Sequence, residues 1–320
     1  MSAVGRTAKA LRLGTRKSPM ALAQSSRVAE LITQHTGASV ELVGLTSFGD
    51  LTTARLDQIG GVGVFVSAIR ESLLANEVDL AVHSLKDLPT AAAPGLRLAA
   101  VPARDDPRDA LVGRDRAKLA DLPAGARIGT GSPRRAAQLR LIRPDICPVA
   151  VRGNAGTRLA KVSGGELDAV VLAYAGLARI GQLDLVSQIF EVDQMAPAPG
   201  QGALAVECRE DDPELTALLA RIDDPPSRAA VTAERAVLAG LEAGCSAPVG
   251  AYAAGTGDVL HLSAVAIAGD GRSAVRASLS GPLPQAAWLG HEVAAELLRR
   301  GAVRDVAASA ALISDGDGAQ

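Results

Sequence analysis

At 320 residues the chain is long enough for two or three domains, each with its own core. Apolar residues make up 48% and charged residues 21%, an ordinary globular balance, and the net charge of −2 argues against a general nucleic-acid or membrane-surface binder. Three cysteines, widely spaced and with no C-x-x-C, argue against a disulfide framework or a zinc site and for a reducing, cytoplasmic setting. No apolar h-region opens the chain and no apolar run approaches a membrane span, so neither secretion nor membrane insertion is expected. Arginine outnumbers lysine 28 to 5. Alanine is abundant too, and a GC-rich genome produces both biases, so only the placement of the arginines is informative.

Residues 9–14 read as a strand that runs into Arg16, Lys17, Ser18 and Pro19. A hydroxyl cap followed by proline at the first helical position starts a helix, expected to carry Ala21, Val28, Leu31 and Ile32 inward and to end near Gly37. Arg16 then lies in a strand-to-helix loop beside helix amides that favour anions. Residues 40–45 are a second strand. Gly60, Gly61 and Gly63 suggest a flexible loop, either a plain solvent loop or a lid over a site, and Phe65, Ile69 and Leu73 repeat at helical spacing. The apolar run from Val78 reads as a buried strand ending at His83-Ser84-Leu85-Lys86-Asp87-Leu88-Pro89-Thr90. So far the order is β-α-β-α-β, the alternation of a mostly parallel sheet. In such sheets ligands bind at strand ends, where Lys86 and Asp87 can hold an anion and move or stabilise a proton.

Residues 96–101 form another strand, and 102–107 read as a crossing between lobes. The strand near 126–130 enters Thr130-Gly131-Ser132-Pro133-Arg134-Arg135, which gathers hydroxyls, helix amides and two guanidinium groups around one anion site. It is not a P-loop. The strand at 148–151 delivers Arg152-Gly153-Asn154-Ala155-Gly156-Thr157-Arg158, and the strand at 168–173 is followed by Arg179. Five arginines after strands of one lobe (Arg134, Arg135, Arg152, Arg158 and Arg179) suggest a wall for carboxylates or phosphates, unpaired until a polyanion binds. Residues 197–202 are a second crossing, after which a short strand is expected to return to the first lobe. Asp223-Asp224-Pro225-Pro226 marks a further boundary. Beyond it come a helix, a strand from 249, a hairpin of strands 260–267 and 274–279, and an amphipathic helix over 285–300 with Trp288, Val293, Leu297 and Leu298 as core. Cys147 and Cys208 read as packing residues. Cys245 sits on a Gly/Pro-flanked loop, either a small residue in a tight turn or an accessible nucleophile or attachment point. No histidine pair suggests a metal, and G-x-S-x-G is absent.

Taken together, these segments resemble the hydroxymethylbilane synthase (porphobilinogen deaminase) family. The matching runs are Gly14 to Gln24, His83 to Thr90, Ser132 to Arg135, Arg152 to Leu159, Ala198 to Gly202, and Gly244-Cys245 ahead of Pro248, in the family's order. The resemblance implies an α/β fold with two periplasmic-binding-protein-like lobes and a smaller α+β C-terminal domain. The boundaries are placed at 1–102 with 203–222, 103–202, and 223–320. It implies a dipyrromethane cofactor held through a thioether to Cys245, onto which four porphobilinogen molecules are joined head to tail with loss of ammonia before water releases the linear product. Asp87 matches the catalytic acid. Lys86, Ser84, Thr130, Ser132, Arg134 and Arg135 match cofactor contacts, and Arg16, Ser18, Arg152, Arg158 and Arg179 match contacts to substrate carboxylates. A monomer is implied.

The sequence departs from the family pattern at Pro133, at Ser47-Phe48, at Val62 and in a shortened stretch between Asp50 and Gly60. The competing reading is a bilobal solute-binding or sensor protein for a polycarboxylate, which predicts no role for Cys245 and no turnover.

Overall fold

The computed structural model describes residues 10–45, 63–244, 247–268, 271 and 273–302. The first elements in chain order are β1 (Leu11–Arg16), α1 (Pro19–Thr36), β2 (Val40–Leu45), α2 (Gly63–Leu74), β3 (Leu80–Ser84) and β4 (Leu96–Ala100). Then come β5 (Asp109–Gly113), β6 (Arg127–Thr130), α3 (Pro133–Ile142), β7 (Cys147–Ala150), α4 (Ala155–Ser163), β8 (Ala169–Ala173), α5 (Tyr174–Arg179) and β9 (Gln188–Ile189). The chain continues through β10 (Leu204–Arg209), α6 (Pro213–Leu219), α7 (Pro225–Gly240), β11 (Val249–Thr256), β12 (Val259–Ile267), β13 (Ala274–Pro282) and α8 (Ala286–Arg299). These segregate into two compact units, 1–104 with 203–228 and 105–202 with 229–320.

In the first unit a five-stranded sheet runs β2-β1-β3-β10-β4. The first three strands are parallel, and β10 is antiparallel to both β3 and β4. The sheet is mixed because the returning strand enters from the opposite direction; the β-α-β-α-β stretch before it is parallel, as its alternation predicts. Helix α1 starts where the sequence places it. Ser18 accepts a hydrogen bond from the Ala21 amide, Pro19 follows, and Gly37 at φ 75° ends the helix by donating to the Thr33 carbonyl. Val28 and Ile32 pack with Leu11, Leu13, Leu80 and Val206 on one face of the sheet, and Ile69, Leu73 and Val78 pack on the other. Burial on both faces explains the continuous apolar run of β3.

The second unit repeats the pattern. Its sheet runs β7-β6-β8-β5-β9, with β7, β6 and β8 parallel and β5 antiparallel to both β8 and β9. The same unit contains the antiparallel meander β11-β12-β13, whose core is closed by Val237 and Leu238 of α7, by Leu241 just after it and by Leu289, Val293 and Leu297 of α8.

Two side chains depart from expectation. Trp288 is 52% exposed rather than core. Helix α8 buries Ala286, Leu289, Val293 and Leu297 at spacings of three and four. Trp288 precedes Val293 by five residues, about 140° around a helix, and so falls off that stripe. Cys147 is exposed, because it opens the edge strand β7, whereas Cys208 is buried as expected with its sulfur 3.6 Å from the Thr216 hydroxyl. Among the described residues no helix is long and apolar enough to cross a membrane.

Candidate active site

In the first unit, the expected site residues gather at the ends of β1 and β3. The β3 strand is buried through His83 and passes at Ser84 into a single 3-10 turn, Leu85–Asp87. Leu85 and Leu88, both buried, fix the turn from below, and the Leu85 amide donates to the Ala203 carbonyl at 3.1 Å, so the ladder to the β10 side continues past the strand end. This anchoring leaves Asp87 exposed and Lys86 half-buried. The Ser84 hydroxyl accepts from the buried Gln24 amide at 2.7 Å, which ties α1 to the turn. Ser25 donates to the Thr15 hydroxyl at 2.7 Å and holds the β1–α1 loop that carries Arg16 and Ser18. The Ser18 oxygen is engaged as the helix cap.

In the second unit, Thr130 accepts from the Ser132 amide at 3.1 Å, and Ser132 caps α3. Arg134 and Arg135 open that helix but turn inward. Both are buried on Asp109, which is 0% exposed, at 2.8 Å and 2.7 Å. Gln201 donates to the same carboxylate at 2.8 Å and to the Pro107 carbonyl at 2.7 Å. Arg179 pairs with Asp105 at 2.7 Å and donates to the Gly202 carbonyl at 2.6 Å. The expected wall of unpaired cations is thus corrected for Arg134, Arg135 and Arg179. Internal carboxylates at the start of β5 and just before it reduce the repulsion that such a cluster would suffer alone. Arg152 is exposed on the loop where Gly153 adopts φ 99°, and the half-buried Arg158 donates to the Gly153 carbonyl at 2.9 Å.

The electrostatics leave a surplus of positive charge. Burial by itself would raise the Asp109 carboxyl, but the charges of Arg134 and Arg135 hold it far below the usual carboxylate range. Burial lowers Arg134, and burial followed by the charge of Arg135 lowers Arg158. Three guanidinium groups therefore share one neighbourhood with a single fully buried carboxylate, and the buried Nε of Arg134 has no hydrogen-bond partner. An orphaned buried donor in a cationic setting suits an oxyanion. The donor set accordingly fits a group that carries carboxylates.

Residues 11–217 match the family model "Porphobilinogen deaminase, dipyromethane cofactor binding domain", and 228–299 match "Porphobilinogen deaminase, C-terminal domain". The chain belongs to the porphobilinogen deaminase family. A porphobilinogen deaminase of Thermobifida fusca is 59% identical over 309 residues, covering 94% of this chain and 97% of that one. Porphobilinogen deaminase 1 of Streptomyces coelicolor is 56% identical, covering 92% and 97%. Among solved structures, a periplasmic substrate-binding protein of an ABC transporter from Coxiella burnetii is 15% identical with a TM-score of 0.42, covering 68% of this chain and 94% of that one.

Cys245 lies outside the described residues, as do Ser47, Phe48, Asp50 and the glycines at 60 and 61. The residues bracketing Cys245 are described: the Ala247 amide donates to the Gly244 carbonyl at 3.0 Å, and Ala243, Ala247 and Val249 belong to the core beneath the meander. Sequence reasoning missed the roles of Asp105, Asp109 and Gln24. An acid at the head of an otherwise apolar strand was the available signal for Asp109, since an acid at such a position is rarely buried without a cation.

Proposed function

We propose that the chain performs its family's reaction with the residues described above. Four porphobilinogen molecules are condensed stepwise, each losing ammonia, onto a dipyrromethane primer, and water then releases linear hydroxymethylbilane for tetrapyrrole biosynthesis. The activity is carried by the match along both family domains and by 59% identity across 94% of the chain. When bound, dipyrromethane supplies the pyrrole terminus from which the product grows, and Cys245 is its attachment point. The division into two lobes and a cofactor-attachment domain from 223 onward is part of the same reading.

Asp87 is the catalytic group. Its exposed carboxylate, held by a turn whose apolar residues are buried, can accept hydrogen bonds from pyrrole N–H groups. There it stabilises the positive charge that develops as the aminomethyl nitrogen departs, and it assists removal of the proton released on coupling. Lys86, Ser84, Thr130, Ser132, Arg134 and Arg135 hold the carboxylates of the primer. Arg16, Ser18, Arg152, Arg158 and Arg179 serve the acetate and propionate groups of incoming substrate. The surplus charge around Asp109 supports a carboxylate-bearing ligand, because a deeply buried guanidinium gains most from an oxyanion that it can reach. The protein acts as a monomer in the cytoplasm.

Intact mass spectrometry of the purified protein beside Cys245→Ser tests the reading. An adduct of two pyrrole units on the wild type, absent from the variant, is expected. If neither an adduct nor ammonia appears even after porphobilinogen is added, the synthase reading fails and a bilobal solute-binding protein takes its place.

A further inference from the structure

The sheet beneath Asp87 contains a charged cluster that the reaction does not use. In the β3–β10 ladder His83 lies opposite Ala205, and Glu207 lies opposite Ala81. Two-residue alternation therefore puts the Glu207 and His83 side chains on one face as a diagonal pair. Helix α2 covers that face and inserts Arg70, whose Nε and Nη2 donate to the two oxygens of Glu207 at 2.9 Å and 2.7 Å. The His83 Nε2 is 3.4 Å from Glu207 Oε2, long for a hydrogen bond, and both side chains are 5% exposed. Burial would raise the Glu207 carboxyl, but His83 and then Arg70 bring it down to about 2.

The position of this cluster matters more than its stability. A buried ion pair contributes little beyond what apolar packing would, whereas a bidentate guanidinium–carboxylate pair fixes orientation. Glu207 lies on the strand that pairs with Ser84 through Leu204, and the Ala203 carbonyl just before that strand accepts from the Leu85 amide inside the catalytic turn. His83 is the last residue before Ser84. The carboxylate thus grips helix α2, strand β10 and the end of β3 at once.

We propose that Arg70, Glu207 and His83 form a positioning triad that fixes the exit of β3 for Asp87, in which the bidentate Arg70–Glu207 pair is the anchor and His83 is the neighbour it holds. The inference rests on Asp87 as the catalytic group. Among the described residues, the charged and titratable groups facing Glu207 are Arg70 from α2 and His83 from β3. Without Arg70, Glu207 keeps only the long 3.4 Å approach of His83, and the end of β3 loses its bidentate anchor.

The test is kcat and KM for wild type, Arg70→Lys, Arg70→Gln and His83→Asn at one neutral pH, with melting temperature recorded for each. Arg70→Gln should lose at least about fivefold in kcat while KM stays level. Arg70→Lys, which keeps the charge, should recover most of that loss, and His83→Asn should lower kcat less than Arg70→Gln does, because the bidentate pair is left intact. Wild-type kcat in Arg70→Gln, or a KM that rises in step with the loss of kcat, overturns the triad. Should Arg70→Gln not fold, the near-isosteric Glu207→Gln decides: a lowered kcat at level KM supports the triad, and unchanged kcat refutes it. Wild-type turnover in Asp87→Asn would instead sink the catalytic assignment, a failure separate from that of the triad.

Discussion

Replacing Asp109 by asparagine tests the electrostatic account of the arginine cluster most directly. The amide keeps the shape of the side chain but removes the one charge that balances Arg134 and Arg135, which reach it at 2.8 Å and 2.7 Å with no solvent exposure at the carboxylate. Breaking a buried pair by removing one partner costs about 3–5 kcal/mol, because the remaining charge stays in a dry site. In a unit of this size each kcal/mol lowers the melting temperature by about 2–4 °C, so a fall of about 6–20 °C is expected. Calorimetry of wild type and Asp109→Asn at neutral pH measures it, and a shift below about 2 °C would refute the reasoning, since even the smallest expected loss exceeds it. The pH dependence has a definite sign. The folded-state carboxyl is held far below its unfolded value, burial opposing and the two arginine charges prevailing. Its stabilising contribution is therefore complete above the ordinary aspartate range near about pH 4 and is lost as pH falls toward the folded-state value. Asp109→Asn should accordingly lose less stability on acidification than wild type does.

Asp87→Asn should fold and retain its two-pyrrole adduct but lose about 10²–10⁴ in kcat, the usual contribution of a positioned proton-transfer group; wild-type turnover would remove Asp87 from its role. Trp288, the sole tryptophan, is 52% exposed, so its fluorescence should be red-shifted and readily quenched by iodide. Blue-shifted emission that resists the quencher would place it in the core after all. Gly202 has φ 89°, and a Cβ there would overlap the backbone carbonyl of Asp105, the residue that pairs with Arg179. Gly202→Ala should cost about 1–3 kcal/mol and weaken substrate binding together with stability, and an unshifted denaturation midpoint would contradict that.

What the sequence made legible follows from the range of the forces involved. Helix α1 was readable at both ends because Ser18, Pro19 and Gly37 act within a few residues of themselves, and β3 because burial on both sheet faces leaves an apolar run. The turn after β3 was readable for the same reason: Leu85 and Leu88 go inward, so Lys86 and Asp87 are left nearer to solvent. The arginines were located correctly along the chain, but their partners were not. Asp109 meets Arg135 across 26 positions and Gln201 across 92, and only the antiparallel placement of β5 beside β8 brings them together. The Arg70–Glu207 pair spans 137 positions and depends on β10 returning to lie between β3 and β4. Local pattern therefore revealed which groups lie at strand ends, and topology decided which charges they answer to. Two guanidinium groups on one buried aspartate do not form a bare wall waiting for an anion. They are held in place beforehand with less than full neutralisation, so under the proposed function a bound carboxylate would complete a charge balance that is already partly assembled.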